Sequence, residues 1–235
     1  MNSQEQHKFK RLEMLIGKDN LNILKNKSVL ILGVGGVGGY VAEALARSNI
    51  GTLILVDYDI VDVTNINRQI IALESTIGKK KVDVLEERIK DINSGCKIIK
   101  INKFIDLNNL EDLFKYNIDF FVDACDTVTT KKEVIKKCLD KDIDFISSMG
   151  TGNKLDPSKL EIIDIRKTVN DPLARILRKF IKDEKINKKV MVLSSKELPI
   201  KTGERTPGST AFVPSSAGLL IASYIIRKFI NNEKR

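Results

Sequence analysis

Residues 28–38, SVLILGVGGVG, constrain the fold more than any other stretch of the chain. The apolar, β-branched run at 28–32 predicts a buried parallel strand, and the glycines that follow stop it. Residues 33–38 spell G-x-G-G-x-G. Over 37–47 the apolar residues Val37, Val41, Ala44 and Leu45 recur at helical spacing. Strand, glycine turn and helix in that order make a nucleotide-binding βα unit. Glycines let the backbone approach a phosphate, and the helix amino end favours its charge. The same pattern can serve tight helix–strand packing alone, so the next strand is the arbiter. That strand, 52–57 (TLILVD), ends in Asp57, 19 residues past Gly38. The spacing suits a ribose-binding acid and favours a ligand over packing alone.

Strands are also expected at 97–101, 118–124 and 145–149, with helices at 78–93, 107–116 and 129–140. This alternation predicts a doubly wound, mostly parallel sheet. The pattern changes after residue 151. Residues 160–166 alternate like an antiparallel edge strand. Asp171-Pro172 reads as the start of a helix with Leu173, Ile176, Leu177, Phe180 and Ile181 on its apolar face. Residues 190–194 read as a strand and 197–209 as turn-rich. A last helix opens at Pro214, with Ala217, Leu220, Ile221, Tyr224 and Ile225 in one stripe. The fold expected is α/β, Rossmann-like, with an antiparallel extension in the C-terminal part. One domain spans 1–235: a helical arm at 1–27, a nucleotide-binding core at 28–152, and a C-terminal part at 153–235 for substrate binding and dimer formation. In the arm, Phe9, Leu12, Leu15 and Ile16 repeat at helical spacing and Gly17 interrupts them. Arg11 sits among these, and on its residues alone reads as a solvated charge.

Composition removes several chemistries. The one histidine of the 235 residues, His7, lies in a polar segment, so histidine-based acid–base or Ser-His-Asp catalysis is not expected. No P-loop motif occurs. Cys96, Cys125 and Cys138 form no C-x-x-C pair, which argues for a reducing, cytoplasmic setting and against a zinc ribbon. No apolar run of membrane-spanning length and no signal-peptide core is apparent. The net charge of +9 is uneven: residues 166–205 hold twelve Lys/Arg against five Asp/Glu, a net of +7. That concentration fits a nucleic-acid surface better than a uniform lysine bias, with a solvated face as the other reading.

Between Asp57 and the next helix lies a connection longer than a Rossmann crossover needs. It holds Asp59, Asn65, Asn67, Arg68 and Gln69, all able to contact a ligand. Lys79, Lys80 and Lys81 open the helix that follows. Cations there oppose the helix dipole, so they are solvated or one of them meets an anion. Asp126 falls just past a strand's carboxyl end, where α/β ligands bind. A nicotinamide dinucleotide needs none of these groups, and there is no histidine to assist hydride transfer. A triphosphate with Mg²⁺ uses them all: arginine pairs with phosphate in bidentate fashion, lysine supplies a point charge, and the acid holds the metal.

With G-x-G-G-x-G, the segments DYDIVDVTNINRQ, GKKKVDV and DACDT resemble the adenylating domain of the ubiquitin-activating, molybdopterin- and thiamine-biosynthesis enzymes. The opening FKRLEMLIG and the tail segments IRKTVNDPLARILRK and RTPGSTAFVPSSAGLLIAS resemble, within that superfamily, the tRNA threonylcarbamoyladenosine dehydratases. The resemblance implies a homodimer that uses ATP and Mg²⁺ to adenylate the threonyl carboxylate of N6-threonylcarbamoyladenosine, beside the tRNA anticodon. The carbamoyl group then closes on the activated carbon. Carried over by motif, Gly33, Gly35 and Gly36 bind the nucleotide, with Gly36 under the phosphates. Asp57 holds the ribose, with Asp59 beside it. Asn65, Arg68 and Lys81 meet the phosphates, Asp126 binds Mg²⁺, and Arg11 reaches the partner subunit's ATP. The resemblance also admits a cysteine desulfurase or sulfur-acceptor protein as partner. The second reading is adenylation of a ubiquitin-like sulfur carrier, whose bacterial enzymes usually hold zinc in two C-x-x-C pairs absent here.

Overall fold

The computed structural model describes residues 8–232; His7 lies outside them. Seven strands form one sheet: β1 (Ser28–Leu32), β2 (Thr52–Val56), β3 (Lys97–Ile101), β4 (Phe120–Asp123), β5 (Asp144–Ser148), β6 (Leu160–Asp164) and β7 (Met191–Ser195), in the order β3-β2-β1-β4-β5-β7-β6. Every neighbouring pair is parallel except β6–β7, so the expected antiparallel extension is present at the edge. β1 is buried throughout, as its unbroken apolar run requires of a strand covered on both faces.

The helices are α1 (Lys10–Ile16), α2 (Lys18–Lys25), α3 (Gly38–Arg47), α4 (Lys81–Ile92), α5 (Val128–Asp140), α6 (Pro172–Asp183) and α7 (Phe212–Asn232). One face of the sheet packs Val41, Leu45, Leu85, Ile89, Ile221 and Ile225 from α3, α4 and α7. The other packs Val134, Ile135, Leu177 and Ile181 from α5 and α6.

Several boundaries and faces differ from expectation. Residues 107–116 contain only a 3₁₀ turn at Leu110–Lys115. The strand expected to reach 166 stops at Asp164, whose carboxylate accepts from the Arg166 amide and turns the chain. α4 begins at Lys81, so Lys79 and Lys80 precede it, both exposed. The stretch 58–78 is not structureless: it makes two 3₁₀ turns, and Ile60 bridges to Lys80. Ile176 and Leu220, assigned to buried stripes, are exposed. The helix read as opening at Pro214 starts at Phe212.

The sequence also suggested no run long enough to cross a membrane, yet 212–230 passes on length and composition. Here that run is a core helix. Val213, Ala217, Ile221 and Ile225 are fully buried.

Candidate active site

The chain from β1 passes to β2 and β3 on one side, and from β4 to β5 on the other. This reversal opens a crevice at the carboxyl ends of β1, β2 and β4, the usual ligand position of an open α/β sheet. A cavity of about 340 Å³ lies there. Nine of the ten residues singled out from sequence line it: Gly33, Gly35, Gly36, Asp57, Asp59, Asn65, Arg68, Lys81 and Asp126. Residues 90 positions apart in the chain thus converge because they follow neighbouring strand ends.

The floor is the glycine turn. Gly33 has φ +87°, and a Cβ there would stand 2.7 Å from the Ala124 carbonyl oxygen. A Cβ on Gly38 would meet the Gly33 carbonyl oxygen at 1.8 Å. These two glycines are needed for packing, whatever binds. Gly35 and Gly36 line the cavity itself. No side chain caps the start of α3; the Gly39 amide is taken by the Gly35 carbonyl at 3.0 Å, and the positive end of the helix still faces the cavity.

Asp57 ends β2 in a fixed pose. Its Oδ2 accepts from the Val34 amide at 2.8 Å and its Oδ1 from the Asp59 amide at 2.9 Å. Each oxygen keeps a lone pair for a ligand hydroxyl. Burial raises its pKa above the ordinary aspartate value; the Asp59 amide and the charge of Lys81 offset this in part. Lys81 is buried and donates to Asp59 Oδ2 at 2.7 Å. Of the three consecutive lysines, this is the one that meets an anion. Asp59 in turn aims the ammonium into the cavity.

Arg68 donates through Nη1 to the Thr64 carbonyl at 2.7 Å and to Asn67 Oδ1 at 2.9 Å. Its Nε and Nη2 make no bond among the described residues and can reach a ligand. Asn65 is buried, and its Oδ1 accepts from the Asp62 amide at 3.2 Å, so this residue also closes the local turn. Gln69 is buried too, and its Oε1 has no donor among the described residues. An orphan acceptor on a cavity wall fits a ligand donor, because leaving it unpaired costs roughly 1–3 kcal/mol.

Asp126 is exposed within the cavity. Beside it Cys125 Sγ donates to Asp123 Oδ1 at 3.1 Å. Burial, then the negative charge of Asp123, push the Cys125 thiol above its ordinary pKa. A thiol held protonated is a poor nucleophile. Cys125→Ser should therefore keep most of the activity, measured as turnover. A folded but inactive serine variant would give the thiol a chemical role.

Sequence reasoning missed one wall. Lys103, Phe104 and Ile105 line the cavity just past β3, and Tyr58 packs edge-to-face on Phe104 with ring centroids 5.0 Å apart. The strand-end rule that singled out Asp126 applies equally to 103–105, and would have found them.

Arg11 is the exception among the ten. It is exposed on α1 and does not line the cavity. Phe9, at the start of that helix, packs near Lys25, Ile50 and Gly51, which precede β1 and β2. The arm thus joins the sheet at its amino edge, and a five-residue strand separates that edge from the cavity by about 17 Å.

Comparison with known proteins agrees with this geometry. Residues 9–233 match the ThiF family. The tRNA threonylcarbamoyladenosine dehydratase of Bacillus subtilis (strain 168) is 43% identical over 96% of either chain. The crystal structure of the E. coli tRNA N6-threonylcarbamoyladenosine dehydratase in complex with ATP superposes with a TM-score of 0.94 at 31% identity, covering 100% of this chain and 98% of that one. The molybdopterin-synthase adenylyltransferase of E. coli is more distant, at 29% identity over 63% of this chain.

Proposed function

The chain belongs to the ThiF family, and on that premise we propose that it is an ATP-dependent tRNA-modifying enzyme. It adenylates the threonyl carboxylate of N6-threonylcarbamoyladenosine in tRNA and lets the product close to its cyclic form. The observation that carries this reading is the single cavity joining the glycine turn, Asp57, Arg68, Lys81 and Asp126 at the sheet's topological switch point.

The chemistry suits groups of this kind. The attacking carboxylate is already ionised at neutral pH, so no general base is needed. Its oxygen attacks the α-phosphorus of ATP and pyrophosphate leaves. The carbamoyl group of the same nucleoside then attacks the activated carbonyl carbon, and AMP leaves. Both partners of the second step sit in one molecule, which gives the closure a high effective concentration. The enzyme's task is therefore positioning and neutralisation of charge. In this reading the turn at 33–36 carries the phosphates, Asp57 binds the ribose hydroxyls, and Asn65, Arg68 and Lys81 meet the phosphate oxygens. Tyr58 and Phe104 offer an apolar wall to the base.

The donor set also fits Mg²⁺. Among the described residues no three acidic, histidine or cysteine side chains cluster to hold a metal unaided. Mg²⁺ commonly takes one or two carboxylates together with substrate phosphates. Asp57 and Asp59 are already bonded, which leaves Asp126 to hold the ion, and the ion would neutralise charge on the phosphates.

A charge-assisted contact contributes roughly 1.5–3 kcal/mol. Arg68→Ala or Lys81→Ala should thus slow AMP formation by about ten- to a hundred-fold. Near-normal turnover in both variants would remove the phosphate assignment.

We further propose a cytoplasmic C2 homodimer with each site completed by the partner's Arg11. The arm's position at the far edge of the sheet supports completion in trans. Met14 and Leu15 on the same helix are 78% and 82% exposed, an apolar surface that a second subunit would cover. A sulfur-relay partner finds less support. Cys96 and Cys138 are buried, burial pushes the Cys96 thiol up to about 12, and Cys138 is raised by the same cause.

Incubation with ATP and labelled pyrophosphate, with and without tRNA carrying the modified adenosine, tests the whole reading. Exchange and AMP release that depend on this tRNA, with the cyclic nucleoside as product, are expected. Dependence on a small protein ending in Gly-Gly would instead select the sulfur-carrier reading.

A further inference from the structure

We propose that the RNA is received on one basic face, formed by α6 and the segment joining β7 to α7, so that it enters over the phosphate end of the cavity. This rests on the tRNA reading above.

The segment's path carries the first half of the argument. It leaves β7 beside Asn170, whose Nδ2 donates to the Lys196 carbonyl at 2.8 Å. Asn153 pins its middle. The Ile200 amide donates to the Asn153 carbonyl at 2.8 Å, the Asn153 amide donates to the Gly208 carbonyl at 2.7 Å, and the Gly208 amide donates to Asn153 Oδ1 at 2.6 Å. It ends at the cavity: the Ser209 carbonyl accepts from Asn67 Nδ2 at 3.0 Å, one residue from Arg68. Pro214, just beyond, lies against Gly36. Residues 201–208 are all exposed between these anchors.

The same anchor reaches α6. Lys154, next to Asn153, is buried against the Gly150 carbonyl and the Asp171 carboxylate that caps α6. The segment and the first turn of α6 therefore flank one short strip of chain, at the carboxyl end of β5. Lys167 and Arg175 stand beside this start, Lys179 and Lys182 lie farther along α6, and Lys201 and Arg205 lie on the segment. All six are exposed, and none meets a carboxylate among the described residues. Asp183 and Glu204 stand exposed beside Lys182 and Arg205, so among the described residues six cations face two free acids, and the other acidic neighbours are spent elsewhere. Asp171 caps the helix and pairs with Lys154, and Glu197 accepts from the Leu155 and Asp156 amides.

Large apolar groups lie among these charges: Val169, Ile176, Leu198 and Ile200 are each 45% or more exposed within the same stretch of sequence, and Leu155, also exposed, follows Lys154. Unpaired cations hold phosphates, the planar guanidinium groups of Arg175 and Arg205 can stack on unstacked bases, and the aliphatic side chains beside them add apolar contact, as folded RNA with single-stranded loops requires. From Arg175 to Lys182 the helix rises about 10 Å, a distance over which one nucleic-acid strand carries about three phosphates.

The test uses the full chain and two double variants, Arg175→Ala with Lys179→Ala and Lys201→Ala with Arg205→Ala. Binding of tRNA bearing the modified adenosine is titrated across a range of salt, ATP binding is measured separately, and oligomeric state is followed by sedimentation. Each double variant should bind tRNA at least ten-fold more weakly and lower the slope of log affinity against log salt by about two, with ATP binding unchanged. Saturable tRNA binding that is indifferent to both variants would overturn this surface while leaving the tRNA reading standing. A change of oligomeric state in place of tRNA affinity would make the face a contact between copies of this chain, and would also overturn it. Failure of the unsubstituted protein to bind or use the tRNA would remove the reading itself, and the surface with it.

Discussion

Mixing an Arg11→Ala subunit with an Asp126→Ala subunit should restore activity that neither variant has alone. Arg11 is exposed on an arm that joins the amino edge of the sheet, while Asp126 sits in the cavity at the carboxyl edge. Under the proposed C2 dimer, Arg11 of one subunit completes the site of the other. Each single variant should then be nearly inactive, the first through loss of a phosphate-facing cation and the second through loss of the acid that would hold Mg²⁺. In a mixed dimer one site pairs an intact Arg11 with an intact Asp126, and the other site lacks both. Random exchange makes about half of the dimers mixed, so roughly a quarter of the original activity is the ceiling. The measurement is AMP formation after subunit exchange has been shown by an independent label. Zero recovery under proven exchange would place Arg11 in its own subunit's chemistry or outside the site.

The second large effect concerns stability. Lys131 and Asp123 are both fully buried at the end of β4, behind the cavity wall that carries Asp126. Lys131 Nζ donates to Asp123 Oδ1 at 3.0 Å, to Ser147 Oγ at 3.2 Å and to the Ser148 carbonyl at 2.9 Å. Ser147 Oγ donates to Asp123 Oδ2 at 2.6 Å. The pair thus ties the ends of β4 and β5 together. Removing one member leaves the other charge buried and alone, which costs about 3–5 kcal/mol. Lys131→Met should lower the unfolding midpoint by about 6–20 °C for a domain of this size. Asp123→Asn together with Lys131→Met should lose less, because no lone charge remains. Reversible urea unfolding of the two variants decides it. A Lys131→Met protein within about 1 kcal/mol of the original would mean that the pair adds nothing beyond what a packed thioether supplies.

What the sequence determined by itself was local chemistry and its order along the chain. Four glycines within six positions after an apolar run leave few alternatives to a phosphate-binding turn. An acid at the end of the following strand, and another just past β4, are placed by strand ends alone. The extension's antiparallel edge was legible because 160–166 sets polar residues among apolar ones where the central strands do not, and the strand is half-buried along its length. Gly33, Asp57 and Asp126 fell on one cavity for this reason: in a parallel sheet every carboxyl end points the same way, so residues that follow strands converge without any long-range information, whereas Asn65, Arg68 and Lys81 were placed there by the family motif.

Tertiary structure decided the rest. Periodicity assigned Ile176 and Leu220 to buried stripes, but burial depends on what lies across from a helix, and these two are left 45% and 38% exposed. Three consecutive lysines looked equivalent; only Lys81 turns inward, because α4 starts there and Asp59 waits at 2.7 Å. Gly33 looked like a ligand contact and is also a close backbone approach to Ala124, visible only once β1 and β4 lie side by side. The apolar run of α7 meets a length and hydropathy test for crossing a membrane, and its packing into the core makes it part of the fold. Lys131 carried no signal at all. Its pairing with Asp123 depends on β4 and β5 being neighbours, and a lysine written eight residues after an aspartate gives no sign of that contact.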